Sequence, residues 1–283
     1  MSIGAPLHTY HDASGKITVT VFVVVGDPEQ EIWKDQLATV GDPDMVAIGG
    51  GGAASDGHQN TATPGTGSFL TASYPNENWT GWKVSARDHQ IPQAYALNTY
   101  VIGMKIAGLS RQALVDNLLL ATDSTGASGH PSKYVGLGSN SYVLAGGGFK
   151  VEDGIPNLGT ASFPSDETTW MAYSQDHMTP AAAQLWVYAI GIRNNLPGVG
   201  KVISKQNFSS DGPKNHPSCT ANVEPGFALT GGGAQVDSTV NGNMLWELVP
   251  STDPLPWFRG SSMDHIVAAP AKITTYAVGL RIS

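Results

Sequence analysis

The chain has 283 residues, 41% of them apolar and only 13% charged, which is enough apolar material for a sizeable core. With 34 glycines and 18 prolines, it reads as many short strands joined by tight turns rather than long solvent-facing helices. A net charge of −8 and the lack of any Lys/Arg cluster exclude nucleic acid as a partner, because binding a polyanion needs a basic surface that displaces counterions.

The N-terminal Met1-Ser2-Ile3-Gly4-Ala5-Pro6 carries no basic segment followed by an apolar stretch, so no secretory signal is expected. The longest apolar run, 19–25, is too short to span a bilayer, and the expectation is a soluble protein, cytoplasmic or non-classically secreted. His8 and His11 form a pair with no Glu or Cys in register, too few ligands for a metal, and no cofactor is expected. Residues 18–25 are a strand candidate. Four more follow: the apolar 45–48 running into Gly49-Gly50-Gly51-Gly52, then 68–74, 81–88 and 97–106. In the last, Tyr100, Ile102 and Met104 alternate with Val101, Gly103 and Lys105.

The same elements then return twice. Asp88-His89 recurs as Asp176-His177 and Asp264-His265, an interval of about 88 residues. Each His is followed at a constant distance by Tyr100, Tyr188 or Tyr276, then by Gly103, Gly191 or Gly279, then by Lys105, Arg193 or Arg281. Upstream lie Pro75, Pro164 and Pro250, then Trp82, Trp170 and Trp257, with spacings that slip by one residue. Further upstream the glycine cluster recurs at Gly146-Gly147-Gly148 and Gly231-Gly232-Gly233. Copies two and three share His130-Pro131-Ser132 and His216-Pro217-Ser218, where copy one has Asp42-Pro43-Asp44. Copy one also carries a polar insertion at 55–65. The lone Cys219 cannot form an internal disulfide and reads as a small buried or half-buried side chain.

One domain, 1–283, is therefore expected, made of three internal repeats at about 17–107, 108–195 and 196–283. Four strands per copy cannot bury their apolar face alone, so the copies must close around a shared axis. The fold class is all-β. A β-prism of three antiparallel Greek-key-like sheets with pseudo-three-fold symmetry fits best, and a β-trefoil-like arrangement is the alternative. Gly103, Gly191 and Gly279 are read as the small residues needed where the sheets converge.

Each copy brings a glycine cluster, an Asp-His pair and a Trp to a strand end. A shallow sugar pocket uses those three kinds of group: backbone N–H donors, an acidic acceptor for hydroxyls, and a ring face. The candidate ligand-binding residues are Gly50, Gly51, Trp82, Asp88 and His89 in copy one. In copy two they are Gly146, Gly147, Trp170, Asp176 and His177, and in copy three Gly231, Gly232, Trp257, Asp264 and His265. The structural alternative has each Asp capping a turn and each His bonding a neighbouring carbonyl. Catalysis is not expected. Adjacent strand residues face opposite ways, and the chain has no nucleophile elbow, phosphate loop or dinucleotide fingerprint.

The glycine clusters resemble the Gly-Gly loops of jacalin-type β-prism lectins, and Gly260-Ser261-Ser262-Met263-Asp264 resembles their sugar-binding Gly-x-x-x-Asp loop. Copies one and two depart from it, reading Val84-Ser85-Ala86-Arg87-Asp88 and Ala172-Tyr173-Ser174-Gln175-Asp176. The architecture is also similar to the three-fold vitelline membrane outer layer protein, without its disulfides. These resemblances imply a lectin whose partners are glycans or glycoconjugates, with up to three unequal sites. A structural or toxin-like interaction module, docking on a protein or membrane, is the alternative.

Overall fold

The computed structural model describes residues 2–27, 32–55, 67–90, 94–153, 155–237 and 242–283. The chain opens with β1 (Ser2–Ile3) and β2 (Ala5–His11). Repeat one supplies β3 (Ile17–Val25), β4 (Ile32–Thr39), β5 (Val46–Ser55), β6 (Ser68–Pro75), β7 (Gly81–Asp88) and β8 (Ala96–Ile106). Repeat two starts at a short helix, α1 (Arg111–Val115), whose first turn is capped by the Ser110 hydroxyl accepting from the Ala113 N–H. Its strands are β9 (Leu118–Ser124), β10 (Ser132–Gly136), β11 (Tyr142–Val151), β12 (Asn157–Pro164), β13 (Thr169–Asp176) and β14 (Leu185–Arg193). After β15 (Asn195–Leu196), repeat three adds β16 (Gly200–Lys214), β17 (Ser218–Asn222), β18 (Ala228–Asp237), β19 (Met244–Pro250), β20 (Trp257–Met263) and β21 (Ala271–Ile282).

The strands that the repeat predicts are all present, and 18–25 falls within β3. Each repeat also holds a strand that the sequence does not announce: β4, β10 and β17. The last two are outer strands of only five residues with burial on one face at most, so they lack a strong apolar signal. Cys219 is buried in β17. Beyond Ser55 the predicted insertion lies outside the described residues. No helix among the described residues is long and apolar enough to cross a membrane.

Three seven-stranded sheets result, in the orders β1-β4-β7-β6-β11-β14-β9, β10-β13-β12-β18-β21-β16-β15 and β17-β20-β19-β5-β8-β3-β2. They are antiparallel apart from the β1–β4 pairing. Each sheet takes three strands from one repeat and three from the next, so a repeat is not a sheet. It is divided between two sheets. The joints are short ladders between repeats: Phe149 opposite Ser73, Ala161 opposite Gln235, and Glu247 opposite Ala53.

The glycine clusters make these joints possible. Each follows a one-residue bulge, between Ala47 and Gly49, Leu144 and Gly146, and Leu229 and Gly231. The first glycines of the three clusters meet one another: a Cβ on Gly231 would lie 2.9 Å from the Gly146 Cα, and one on Gly49 would meet the Gly231 Cα at 3.2 Å. The second glycines, Gly50, Gly147 and Gly232, lie flat against the rings of Trp82, Trp170 and Phe258. The third, Gly51, Gly148 and Gly233, press on the carbonyls of Leu248, Ser73 and Ser162 in the neighbouring repeat. Gly103, Gly191 and Gly279 do not mark the convergence; they make room for Val40, Leu137 and Val223 in the loop before the glycine strand.

In copy three the ring behind the glycines is Phe258 rather than Trp257, which explains the slipped spacing. Pro75 pairs with Trp82, Pro164 with Trp170, and Pro250 with Phe258. The indole N–H groups of Trp82 and Trp170 donate to Ser73 and Ser162, at 2.8 and 2.9 Å. Phe258 has no donor, and the matching position is Leu248, which faces Gly260 and Gly52. Donor and acceptor have changed together. Trp170→Phe alone is therefore expected to cost about 2 kcal/mol, since it strands a buried hydroxyl and leaves a void. Adding Ser162→Ala should recover about 1 kcal/mol, read from urea unfolding as a double-mutant cycle.

Candidate functional site

The Asp-His pairs belong to the scaffold. Each Asp closes its strand β7, β13 or β20 or the loop just after it. Asp176 accepts from the Ala181 N–H and Asp264 from the Ala269 N–H, both at 2.9 Å, and each pins the following loop. His130 and His216 reach their other oxygens at 3.0 and 3.3 Å, which gives the His-Pro-Ser elements a partner. Asp88 accepts instead from the Ser68 hydroxyl at 2.5 Å.

The three histidines form a closed ring. His89 Nε2 donates to the His177 carbonyl at 2.9 Å, His177 Nε2 to the His265 carbonyl at 3.0 Å, and His265 Nε2 to the His89 carbonyl at 2.6 Å. A carbonyl can only accept, so all three carry the proton on Nε2. The imidazole centroids are 5.2, 5.8 and 6.1 Å apart, and all three residues are buried. Burial, aided by the nearby His177, holds His89 down to about 4, and burial lowers His265 also. The next residue in each copy, Gln90, Met178 or Ile266, has positive φ. Met178 and Ile266 sit inside tight turns closed by Thr179 N–H to the His177 carbonyl and Val267 N–H to the His265 carbonyl.

The expected ligand pocket is therefore not assembled from these residues. Gly50, Gly51, Gly146, Gly147, Gly231, Gly232, Trp82, Trp170 and the three histidines are buried inside the joints, and the three aspartates are half-buried and committed to loops. Trp257 is half-exposed, with its N–H on Asp253 at 2.9 Å. The stretch 260–264 is no loop either: Gly260 lies within β20, where a Cβ would meet Ala234. A cavity of about 540 Å³ opens beside Tyr10, Phe227 and Leu255, but the Tyr10 hydroxyl already donates to the Asp253 carbonyl.

The outer faces of the three sheets differ from one another. Facing residues of the second sheet fall into a row across six strands: Tyr134, Met171, Phe163, Gly233, Tyr276 and Phe208. Phe163 and Tyr276 lean together over Gly233, with centroids 5.2 Å apart and planes at 25°. Phe208 follows at 6.0 Å from Tyr276, and Tyr173 meets Phe163 edge-on at 5.9 Å. The two ends of the row, Tyr134 and Phe208, are 64% and 71% exposed. Burial raises the phenols of Tyr173 and Tyr276, so both stay neutral. Two residues along each strand a second row runs parallel: Ser132, Tyr173, Ala161, Gln235, Thr274 and Ser210. Neither row holds a charge.

The matching rows on the other sheets are different surfaces. On the first, Tyr74 and Tyr188 stack at 5.2 Å over Gly148, but Lys83 and Lys150 lie over the Tyr74 ring and its hydroxyl donates to Asp35. On the third, Tyr100 is buried, and Arg259 and Ser261 converge on Glu247. Among the described residues of these rows, the second sheet pairs exposed rings, Tyr134 and Phe208, with neutral hydroxyls and amides. The site lay hidden in the sequence because half of it comes from repeat two and half from repeat three. The available signal was that Tyr134, Met171 and Phe208 have no aromatic or thioether counterpart in the other copies.

No family model matches the chain, and no curated protein matches it.

Proposed function

We propose that this is a non-catalytic carbohydrate-binding protein on a β-prism scaffold, with its principal site on the outer face of the second sheet. The cyclic order of the strands and the meeting of the first glycines support the prism reading over a trefoil-like one. The observation that carries the function is the aromatic row from exposed Tyr134 to exposed Phe208, by way of buried Phe163 and half-buried Tyr276, beside a row of neutral hydroxyl and amide groups. Aromatic rings cover the C–H face of a sugar, while Ser, Thr and Gln meet its hydroxyls. Two large exposed rings, Tyr134 and Phe208, on one sheet face and joined by a line of half-buried and buried rings suit a ligand that lies along that face.

A glycan array followed by calorimetry tests the reading. Tyr276→Ala is expected to weaken binding about tenfold or more, the loss of one anchor ring, with the far-UV spectrum unchanged. Asp176→Ala should do the reverse: it lowers the unfolding midpoint by loosening the loop at Ala181 and leaves affinity as it was. Lack of binding to every glycan would remove the proposal and favour a structural module.

A further inference from the structure

We infer that the ligand of this face is an extended, uncharged polysaccharide chain lying across the strands, not a terminal sugar held in a pocket. The inference rests on the glycan-binding reading and specifies its substrate class.

Shape comes first. The aromatic row crosses six strands in direct register, so it runs about 24 Å from Tyr134 to Phe208 at the usual strand spacing. Its most open rings are at the two ends. A pocket for one sugar concentrates its contacts at a centre; this row distributes them along a line. The second row keeps the same order about 7 Å away, the distance of two residues along a strand. Its Ser210 and Thr274 hydroxyls are already 2.9 Å apart, and Gln235 and Tyr173 extend that line toward Ser132. A polymer repeating ring faces and hydroxyl edges at a constant interval meets both rows at once, and each added unit gains contacts without a new ordering cost for the protein.

Charge decides between polymers. Both rows are neutral, and the chain carries −8 overall, so an acidic polysaccharide finds no cation in the rows and is repelled by the rest of the surface. The corresponding rows of the other two sheets hold Lys83 and Lys150, or Arg259 and Glu247, which marks the second sheet as the one suited to an uncharged chain.

The experiment uses the full chain and four neutral series from disaccharide to hexasaccharide: β-1,4-glucan, β-1,3-glucan, mannan and chitin fragments. Polygalacturonate serves as the acidic probe. Affinity for at least one neutral series should climb about tenfold or more with length. Phe208→Ala and Tyr134→Ala should each flatten that climb, lowering hexasaccharide affinity about tenfold or more and disaccharide affinity by clearly less. Both rings are exposed, so the unfolding midpoint should not move. Affinity independent of length, preference for polygalacturonate, or binding confined to branched terminal sugars on the array would each overturn the inference while leaving glycan binding itself standing. Failure of every glycan to bind would instead overturn the function it rests on.

Discussion

Gly147→Ala is expected to destabilise the protein by about 3 kcal/mol or more, a large part of the stability of an ordinary domain. The added methyl would lie 2.3 Å from the Trp170 Cδ2 and 2.5 Å from the Tyr188 carbonyl oxygen. Neither neighbour can retreat: the indole is held by its hydrogen bond to Ser162, and the carbonyl belongs to the strand β14 that pairs with β11. Gly50→Ala and Gly232→Ala meet the same obstacle against Trp82 and Phe258. Gly126→Ala is the control, since nothing lies within 4 Å of its Cβ, and its effect should stay within about 0.5 kcal/mol. Urea unfolding with tryptophan fluorescence reads both. A Gly147→Ala protein of unchanged stability but altered ligand binding would return the glycine clusters to the role of a binding loop.

The contrast between repeated and unrepeated residues explains how much was legible in the sequence. Three copies of one unit must each make the same joints, so the residues that recur are those the joints require: Gly147 against Trp170, Asp176 against the Ala181 N–H, His177 against the His265 carbonyl. Periodicity located these positions and the strands around them. Their repetition also made them look like three ligand sites, because a binding motif and a folding motif leave the same trace in a single sequence. Phe258 shows the limit of aligning by residue type: Trp257 is the better match in the alphabet, but the register with Pro250 selects its neighbour. The partition of each repeat between two sheets was not legible at all. It depends on the pairing of β12 with β18, two strands from different repeats whose ladder is only two residues long. Phe163 and Tyr276 are neighbours only because of that pairing, so no local pattern could bring them together.

The histidine ring makes stability depend on pH in a window of its own. His89 holds its proton with a pKa of about 4 in the folded chain, against 6.5 when unfolded. Between these values the unfolded chain binds more protons, so stability is complete above about pH 6.5, falls as the pH drops, and levels off below about pH 4. The loss from His89 alone is about 3 kcal/mol. His265 is shifted in the same direction and adds to it, although Asp88 and Asp264 partly counter its burial. The cause is geometric: each ring is closed against the next carbonyl, and cations at neighbouring positions of the ring would repel across 5.2 to 6.1 Å with Arg87 adding to the charge beside His89. Asp42, held low by Lys105, loses its contribution only as the pH falls below its usual 3.8, outside the histidine window. Urea unfolding across this range should give a slope approaching about 1.4 kcal/mol per pH unit for each histidine involved. His89→Gln, which keeps an N–H donor for the His177 carbonyl but cannot take up a proton, should flatten the window by one histidine's share and cost about 1 kcal/mol at neutral pH. A wild-type stability that is level between pH 7 and 4.5 would mean that the ring admits protons without opening, and that the joint between the three repeats does not depend on neutral imidazoles.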